Sequence, residues 1–122
     1  MEILIVDDSP AVRRCVVRML ERLGHEAQEA DGAGALLRAT SRRLPDLVIC
    51  DVCLGDGDGI ELCSRLRRAH PHFPLILMSG DPESVDRAEA AGFKRILLKP
   101  FAESELVKVL AESLPSAGES RS

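Results

Sequence analysis

Short, uninterrupted aliphatic runs recur along the chain and are separated by longer amphipathic segments. Strands buried on both faces of a parallel sheet have this composition, because helices cover both faces of such a sheet. A buried helix would need a longer apolar run. The four runs are residues 3–6, 47–50, 75–78 and 96–98. The pattern therefore predicts buried parallel strands at these positions.

The segments between the runs have the 3.6-residue period of amphipathic helices. In the first segment, Arg13, Arg14 and Arg18 lie opposite an apolar stripe, and we interpret them as a solvated helix face. Ser9 predicts the start of this helix as its N-cap, and Gly24 predicts its end. The other helices are predicted at 34–43, 59–68, 82–91 and 103–114.

A polar segment at 25–30 lies where an alternating strand–helix pattern requires a second strand. A polar strand is typical of a sheet edge. Five strands and five helices then alternate, which indicates an α/β fold with a doubly wound five-stranded parallel sheet and five flanking helices. The flavodoxin-like order 2-1-3-4-5 places the polar strand outside. We expect this domain to span 1–114, with a disordered polar tail at 115–122.

Composition and charge reduce the number of function classes that the chain could belong to. The 122 residues are the size of one domain. Three Phe, with no Trp or Tyr, argue against the stacking surfaces that bind single-stranded nucleic acid, and the net charge of −4 disfavours binding to phosphate backbones. No apolar run approaches the ~20 residues of a membrane span, and we recognise no signal peptide. We therefore expect a cytoplasmic protein without nucleic-acid or membrane partners.

The cysteine pattern includes a C-x-x-C pair, Cys50 and Cys53, together with Cys15 and Cys63. If the pair lies in an extended segment, the two residues are roughly 10 Å apart, beyond the ~7 Å limit for a disulfide. No second Cys or His pair follows at zinc-finger spacing. We interpret the cysteines as small buried hydrophobes and not as a redox pair.

Carboxylates follow two of the predicted strands. Asp7 and Asp8 come after the first strand, and Asp51 ends the third. These strands are neighbours in the predicted order, so the three carboxylates converge, and each pair repels by ~4 kcal/mol at 4 Å and an effective dielectric of 20. Helix capping explains one acid but not three. A divalent cation with oxygen ligands explains all three, and Mg²⁺ is favoured where phosphate is also bound.

Polar residues also follow the last two strands. Ser79 precedes Gly80, and Lys99 precedes Pro100. Taken alone, such a serine more often starts a helix, and such a lysine is more often solvated. Around an acidic cluster, a hydroxyl and a fixed positive charge are suited to binding a phosphoryl group.

Together these residues resemble the motif of response-regulator receiver domains of two-component signalling. The residues that carry the resemblance are Asp7, Asp8, Asp51, Ser79, Lys99 and Pro100. The resemblance covers residues 2–114. It implies that Asp51 accepts a phosphoryl group from the phosphohistidine of a histidine kinase or a histidine phosphotransfer protein in a phosphorelay.

The resemblance also implies a cofactor and individual roles. Mg²⁺ would be held by Asp7, Asp8, Asp51 and the backbone carbonyl of Cys53. Ser79 would bind a phosphoryl oxygen, and Lys99 would pair first with Asp51 and then with the phosphate. The peptide bond between Lys99 and Pro100 would be cis.

Three positions depart from the family pattern. Ile96 stands where the family usually has a Tyr or Phe that reports the state of the Ser79 position, so the switch residues here are Ser79 and Ile96. Gly55 replaces the usual proline, and with Gly57 and Gly59 it predicts a loop that is mobile without metal. Cys53 is expected beside the path of attacking water, where it would tune the lifetime of the phosphate.

The leading hypothesis is a receiver that catalyses its own phosphorylation and dephosphorylation at Asp51 and is not a conventional enzyme. Its state would switch a protein-binding surface that acts on a separate output protein. One alternative is a receiver-fold binding module that works without phosphorylation. Another is a receiver fragment of a larger regulator or hybrid kinase. An aspartate-nucleophile phosphatase would need a second aspartate where Cys53 stands.

Overall fold

Strands and helices alternate along residues 1–113, the part of the chain that the computed structural model describes. The strands are β1 (Glu2–Val6), β2 (Glu26–Ala30), β3 (Leu47–Asp51), β4 (Cys53–Leu54), β5 (Gly57–Asp58), β6 (Leu75–Ser79) and β7 (Ile96–Leu98). The helices are α1 (Pro10–Arg22), α2 (Ala33–Arg42), α3 (Gly59–Ala69), α4 (Pro82–Ala90) and α5 (Glu103–Ser113). The predicted tail at 115–122 lies outside the described residues. Within 1–113, no helix is long and apolar enough to cross a bilayer.

The main sheet has five parallel strands in the order β2-β1-β3-β6-β7. This is the predicted order once β4 and β5 are set aside, since those two short strands form a separate antiparallel hairpin. The prediction of a doubly wound sheet with the polar strand at one edge is therefore confirmed. The hairpin was not predicted.

Both faces of the sheet are buried because helices cover each of them. Alternate strand residues point to opposite sides, so each strand contributes to both cores. Ile3 and Ile5 pack on one face with residues of α1 and α5, including Leu20 and Leu106. Leu4 and Val6 belong to the core on the other face, which α2, α3 and α4 cover. This two-sided burial is the reason that the strands have continuous aliphatic sequences.

Side chains next to the strand ends start three of the helices. The Ser9 hydroxyl accepts from the backbone N–H of Val12 at 3.3 Å and caps α1, as predicted. Asp58 caps α3 and Asp81 caps α4 in the same way. Gly24 follows α1 with φ +90°, a conformation that favours glycine. The caps place the helix starts at the carboxyl edge of the sheet.

Gly59, the first residue of α3, packs directly against the main chain at Asp51. A methyl group on Gly59 would overlap the Asp51 carbonyl oxygen and lie 3.0 Å from Cα of Val52. Because main-chain atoms cannot turn aside, Gly59→Ala is expected to lower the free energy of unfolding by about 3 kcal/mol, the upper end for over-packing. Chemical denaturation measures this loss. Gly80→Ala is the control, since a methyl group there meets nothing within 4 Å, and equal stability of the two variants would contradict the prediction.

Candidate functional site

The carboxyl ends of four strands bring the predicted site residues to one edge of the sheet. Asp7 follows β1, Asp51 ends β3, Ser79 ends β6 and Lys99 follows β7. Since β1 pairs with β3, β3 with β6 and β6 with β7, all four residues lie in neighbouring positions along this edge. The edge is the region where doubly wound sheets bind ligands.

The three carboxylates form a cluster as the sequence indicated. One oxygen each from Asp7, Asp8 and Asp51 lies within 4.8 Å of the others. Asp7 is fully buried and Asp51 is 6% exposed, whereas Asp8 is exposed to solvent. Two buried acids and one exposed acid therefore face the same small space.

Lys99 compensates part of this negative charge. Its Nζ lies 2.8 Å from Oδ2 of Asp7 and 3.3 Å from Oδ2 of Asp51. The ion pair with Asp51 is the one that the resemblance implied before phosphorylation, and the shorter ion pair, with Asp7, was not expected. The Lys99–Pro100 peptide bond is cis.

The protonation of Asp51 and Lys99 reflects this arrangement. Burial raises the pKa of Asp51, the Lys99 charge opposes that rise, and the charge of Asp7 adds to it, so the pKa lies above its ordinary value. Burial lowers the pKa of Lys99, but the hydrogen bond to Asp7 and the charges of both acids outweigh it and raise the pKa overall. Lys99 is therefore a stable cation beside a carboxylate that is more basic than usual.

Asp7 is held in place through both its main chain and its side chain. Its N–H donates to the carbonyl of Ala30 at 3.2 Å, and Oδ1 accepts from the N–H of Ser9 at 2.9 Å. Its carbonyl accepts from Nη1 of Arg13 at 2.6 Å, and Nε of Arg13 donates to Glu29 at 2.9 Å. The interpretation of Arg13 as part of a solvated face is therefore wrong, since only 14% of its side chain is exposed. The neighbouring strand β2 covers that side of α1.

The donor set fits a magnesium ion. Carboxylate oxygens are the hard ligands that Mg²⁺ prefers, and an octahedral ion that keeps several waters needs few protein ligands. Within residues 1–113, the Asp8 side chain has no hydrogen-bond partner, so its oxygens are available. Cys53 begins β4 with its side chain exposed, and its thiol is not part of the carboxylate cluster. Its backbone carbonyl as a ligand stays a prediction.

Ser79 is buried at the edge but bonds to a neighbour on its own loop. Its hydroxyl donates to the carbonyl of Asp81 at 2.7 Å and accepts from the Asp81 N–H at 3.1 Å. Asp81 in turn accepts from the N–H and the hydroxyl of Ser84 and so caps α4. The hydroxyl that was expected to bind phosphate is thus linked to the start of α4.

Ile96 lies on β7 opposite Leu77 and is half-buried against the core. Leu98, two residues further along the same strand, is 47% exposed, and Val107 on α5 is 43% exposed. At position 96 an aliphatic side chain therefore stands where the family usually has an aromatic ring.

The cysteines divide into two groups. Cys50 and Cys63 are buried, as expected, but Cys15 and Cys53 are exposed, so the interpretation of all four as buried hydrophobes is wrong for these two. Cys15 lies on the outer side of α1, and Cys53 lies in the hairpin beyond the sheet edge. All four are free thiols.

The segment between Asp51 and α3 is anchored by a contact that sequence reasoning missed. The Asp56 carboxylate accepts from the N–H of Ala33 at 2.7 Å and from that of Gly34 at 3.2 Å. These bonds lower the pKa of Asp56. An acidic residue between two glycines is the only local hint that Asp56 makes such a contact. Nothing in the nearby sequence indicates its partner, Ala33, which lies 23 residues away.

A doubly wound five-stranded sheet with carboxylates, a hydroxyl and a lysine at its carboxyl edge defines the receiver class of signalling domain. Comparison with known families supports the same class, since the model of the response regulator receiver domain matches residues 3–111. The chain belongs to this family, which confirms the resemblance seen in the sequence.

Individual relatives agree with the family. The chain is 35% identical over 116 residues to the DNA-binding transcriptional regulator NtrC of Azospirillum brasilense, covering 93% of this chain and 24% of that protein. The chain therefore spans about a quarter of the length of this relative. The receiver domain of NtrX from Brucella abortus matches with a TM-score of 0.84 and 33% identity, covering 92% of this chain and 97% of that one. The chemotaxis protein CheY4 of Vibrio cholerae matches with a TM-score of 0.78 and 30% identity, covering 93% of this chain and 98% of that one.

Proposed function

We propose that this domain is a phosphorylation switch in which Asp51 accepts a phosphoryl group from a phosphohistidine. The donor is a histidine kinase or a histidine phosphotransfer protein. The observation that carries the proposal is the Asp51 carboxylate, held at the sheet edge 3.3 Å from Nζ of Lys99 and beside two further acids. A nucleophile, a fixed cation and a metal-binding acid pair are the parts that phosphoryl transfer requires.

The proposed reaction is a displacement at phosphorus. An oxygen of Asp51 forms a bond to phosphorus while the bond from phosphorus to the imidazole nitrogen breaks, and the electron pair returns to the imidazole. The product is an acyl phosphate. In the reset step, water attacks phosphorus, the bond to the Asp51 oxygen breaks, and inorganic phosphate leaves with the carboxylate restored.

The chain contributes charge and position to this reaction. The Asp51 carboxylate is held at the sheet edge by the ion pair with Lys99, where its oxygen is placed to attack phosphorus. Lys99 is placed to neutralise the phosphoryl oxygens. When bound by Asp7, Asp8 and Asp51, with the Cys53 carbonyl as a further proposed ligand, Mg²⁺ supplies additional charge neutralisation.

The link from Ser79 to α4 supports the switching part of the proposal. A phosphoryl group on Asp51 offers the Ser79 hydroxyl a stronger acceptor than the carbonyl of Asp81. If the hydroxyl turns to the phosphate, the Asp81 backbone loses its bonds to Ser79, and the residue that caps α4 is no longer tied to Ser79 at the sheet edge. The exposed Leu98 and Val107 lie on neighbouring elements and form part of the proposed surface for an output partner.

An apolar groove beside Lys99 supports contact with the phosphodonor. The groove has a volume of about 340 Å³ and lies between α1 and the segment that follows β7. Besides Lys99, it is lined by Val12, Cys15, Val16, Met19, Pro100 and Phe101. A helix of the donor protein seated here would bring its phosphohistidine to the same sheet edge as Asp51.

Direct mapping of the phosphoryl group tests the proposal. The chain is incubated with Mg²⁺ and a small acyl phosphate, and separately with a phosphohistidine donor protein, and the intact mass is measured. One phosphoryl mass is expected to appear. Borohydride reduction should then convert residue 51 to homoserine, which peptide mass spectrometry identifies. An adduct at another residue, or none from either donor, would overturn the proposal.

A further inference from the structure

We infer that Asp56 is a positioning residue for the metal site, because it docks the hairpin of β4 and β5 onto the first turn of α2. The inference rests on the proposed function, since it concerns the same carboxylate site. Its geometric basis is the pair of hydrogen bonds from Ala33 and Gly34 to the two oxygens of Asp56, at 2.7 and 3.2 Å. Both backbone donors belong to α2 and the acceptor belongs to the hairpin.

The start of α2 is shaped to receive this carboxylate. The N-cap position is Gly32, which has no side chain that could cap the helix. A methyl group on Gly32 would lie 2.5 Å from Oδ1 of Asp56 and would displace it. The first N–H groups of a helix lack partners within the helix, so side chains from elsewhere or water must satisfy them. Asp56 supplies this cap across 23 positions of sequence, which makes the cap a tertiary contact.

The docked hairpin lies against the acidic cluster. It begins one residue after Val52, which follows Asp51 directly. At its turn, a methyl group on Gly55 would lie only 3.3 Å from Oδ2 of Asp8. The hairpin backbone therefore borders the exposed metal-binding acid, and its position depends on what holds Asp56.

The other end of the hairpin is fixed independently. Asp58 caps α3 through the N–H of Ile60 at 2.9 Å, and Gly59 donates to the carbonyl of Val52 at 2.7 Å. With both ends held near the sheet, Asp56 is the contact that anchors the turn between them. Losing that contact leaves the turn to be ordered when the metal binds, and this ordering weakens binding.

The inference predicts the metal affinity of the chain without any phosphodonor. Groups that orient metal-binding residues typically change affinity by 10–100-fold, so Asp56→Ala is expected to weaken Mg²⁺ binding about tenfold. Intrinsic fluorescence cannot follow binding, because the chain has neither Trp nor Tyr. Titration with Mg²⁺, followed by amide chemical shifts in NMR, is a suitable measurement. The same spectra show that each variant is folded.

Three further variants separate positioning from charge. Asp31→Ala is the matched control, because Asp31 is an exposed acid just before α2. The Mg²⁺ affinity of this variant should stay within about twofold of the wild type. Gly32→Ala keeps every charge but displaces the Asp56 carboxylate, so it should weaken Mg²⁺ binding as much as Asp56→Ala. Asp56→Asn keeps one acceptor oxygen and should restore part of the affinity.

The outcomes are decisive in each direction. Loss in Asp56→Ala and Gly32→Ala, with Asp31→Ala unchanged and Asp56→Asn intermediate, supports the inference. Wild-type affinity in Gly32→Ala, an equal loss in Asp31→Ala, or no Mg²⁺ binding by the wild type overturns it. Failure of phosphoryl transfer in the wild type with the affinity pattern intact would overturn the proposed function alone.

Discussion

Asp51→Asn is expected to abolish phosphoryl uptake and, at the same time, to make the metal-free fold more stable at neutral pH. The loss of uptake follows because an amide has no anionic oxygen to attack phosphorus, so no phosphoryl mass should appear with any donor. The gain in stability follows because Asp51 is buried beside Asp7, and its ionised form is disfavoured there. The amide has similar shape and carries no charge.

The pH dependence of the stability gain has a defined sign. The raised pKa of Asp51 means that the folded chain holds a proton at a pH where the unfolded chain has lost it. The contribution of Asp51 to wild-type stability therefore becomes more favourable as pH falls through the folded pKa towards the ordinary value of 3.8. The advantage of Asp51→Asn should be largest at neutral pH and shrink across that window.

Denaturation of both proteins without Mg²⁺, over a series of pH values, checks this prediction. Asp31→Asn serves as the control, since it makes the same substitution at an exposed acid outside the carboxylate cluster. A stability of Asp51→Asn below that of the wild type at neutral pH would contradict the account of Asp51 as a disfavoured buried charge.

Lys99→Met is expected to lower the free energy of unfolding by about 3 kcal/mol at neutral pH, the lower end for breaking a buried ion pair. The methionine keeps much of the side-chain volume but leaves Asp7 and Asp51 facing each other without a cation. Only 1% of the Asp7 side chain and 9% of the Asp51 side chain are exposed, so solvent screens the repulsion between the two acids poorly once the ammonium group is gone. The pKa of Asp51 should rise further in this variant.

The wild type and Lys99→Met should also differ in their pH profiles. The pKa of Lys99 is raised above 10.5, so its contribution is fully present below 10.5 and is lost as pH rises through the folded pKa. Lys108→Met is the control, because Lys108 is exposed and forms no ion pair within residues 1–113. Chemical denaturation and NMR titration of Asp51 are the measurements. Equal losses in the two lysine variants would refute the role given to Lys99.

The local pattern of the sequence was sufficient for the main architecture. The aliphatic runs became β1, β3, β6 and β7, and the polar segment became the edge strand β2. The prediction succeeded because two-sided burial demands apolar residues at every strand position. Such a run can be recognised without knowing which segments pack against the strand. The strand-end residues Asp51 and Lys99 could be placed for the same reason, since parallel strands bring their carboxyl ends to one edge.

Contacts between distant segments could not be predicted from local pattern. Arg13 occupies a polar helix position, and only the adjacent β2 with Glu29 makes it a partly buried donor to the Asp7 carbonyl. Cys53 follows an apolar run, yet the chain leaves the sheet after Val52 and exposes it. The mobility expected of the glycine-rich loop without metal stays a prediction, but its hairpin is anchored by Asp56.

By itself the sequence determined the order of strands and helices, the burial of the sheet and the set of residues at its carboxyl edge, because these follow from periodicity and chain direction. The tertiary structure alone decided which side chains contact one another there. Lys99 lies closer to Asp7 than to Asp51, Ser79 bonds to Asp81, and Asp56 caps α2. Such choices depend on distances of a few tenths of an ångström between segments far apart in sequence, for which hydrophobic pattern contains no information.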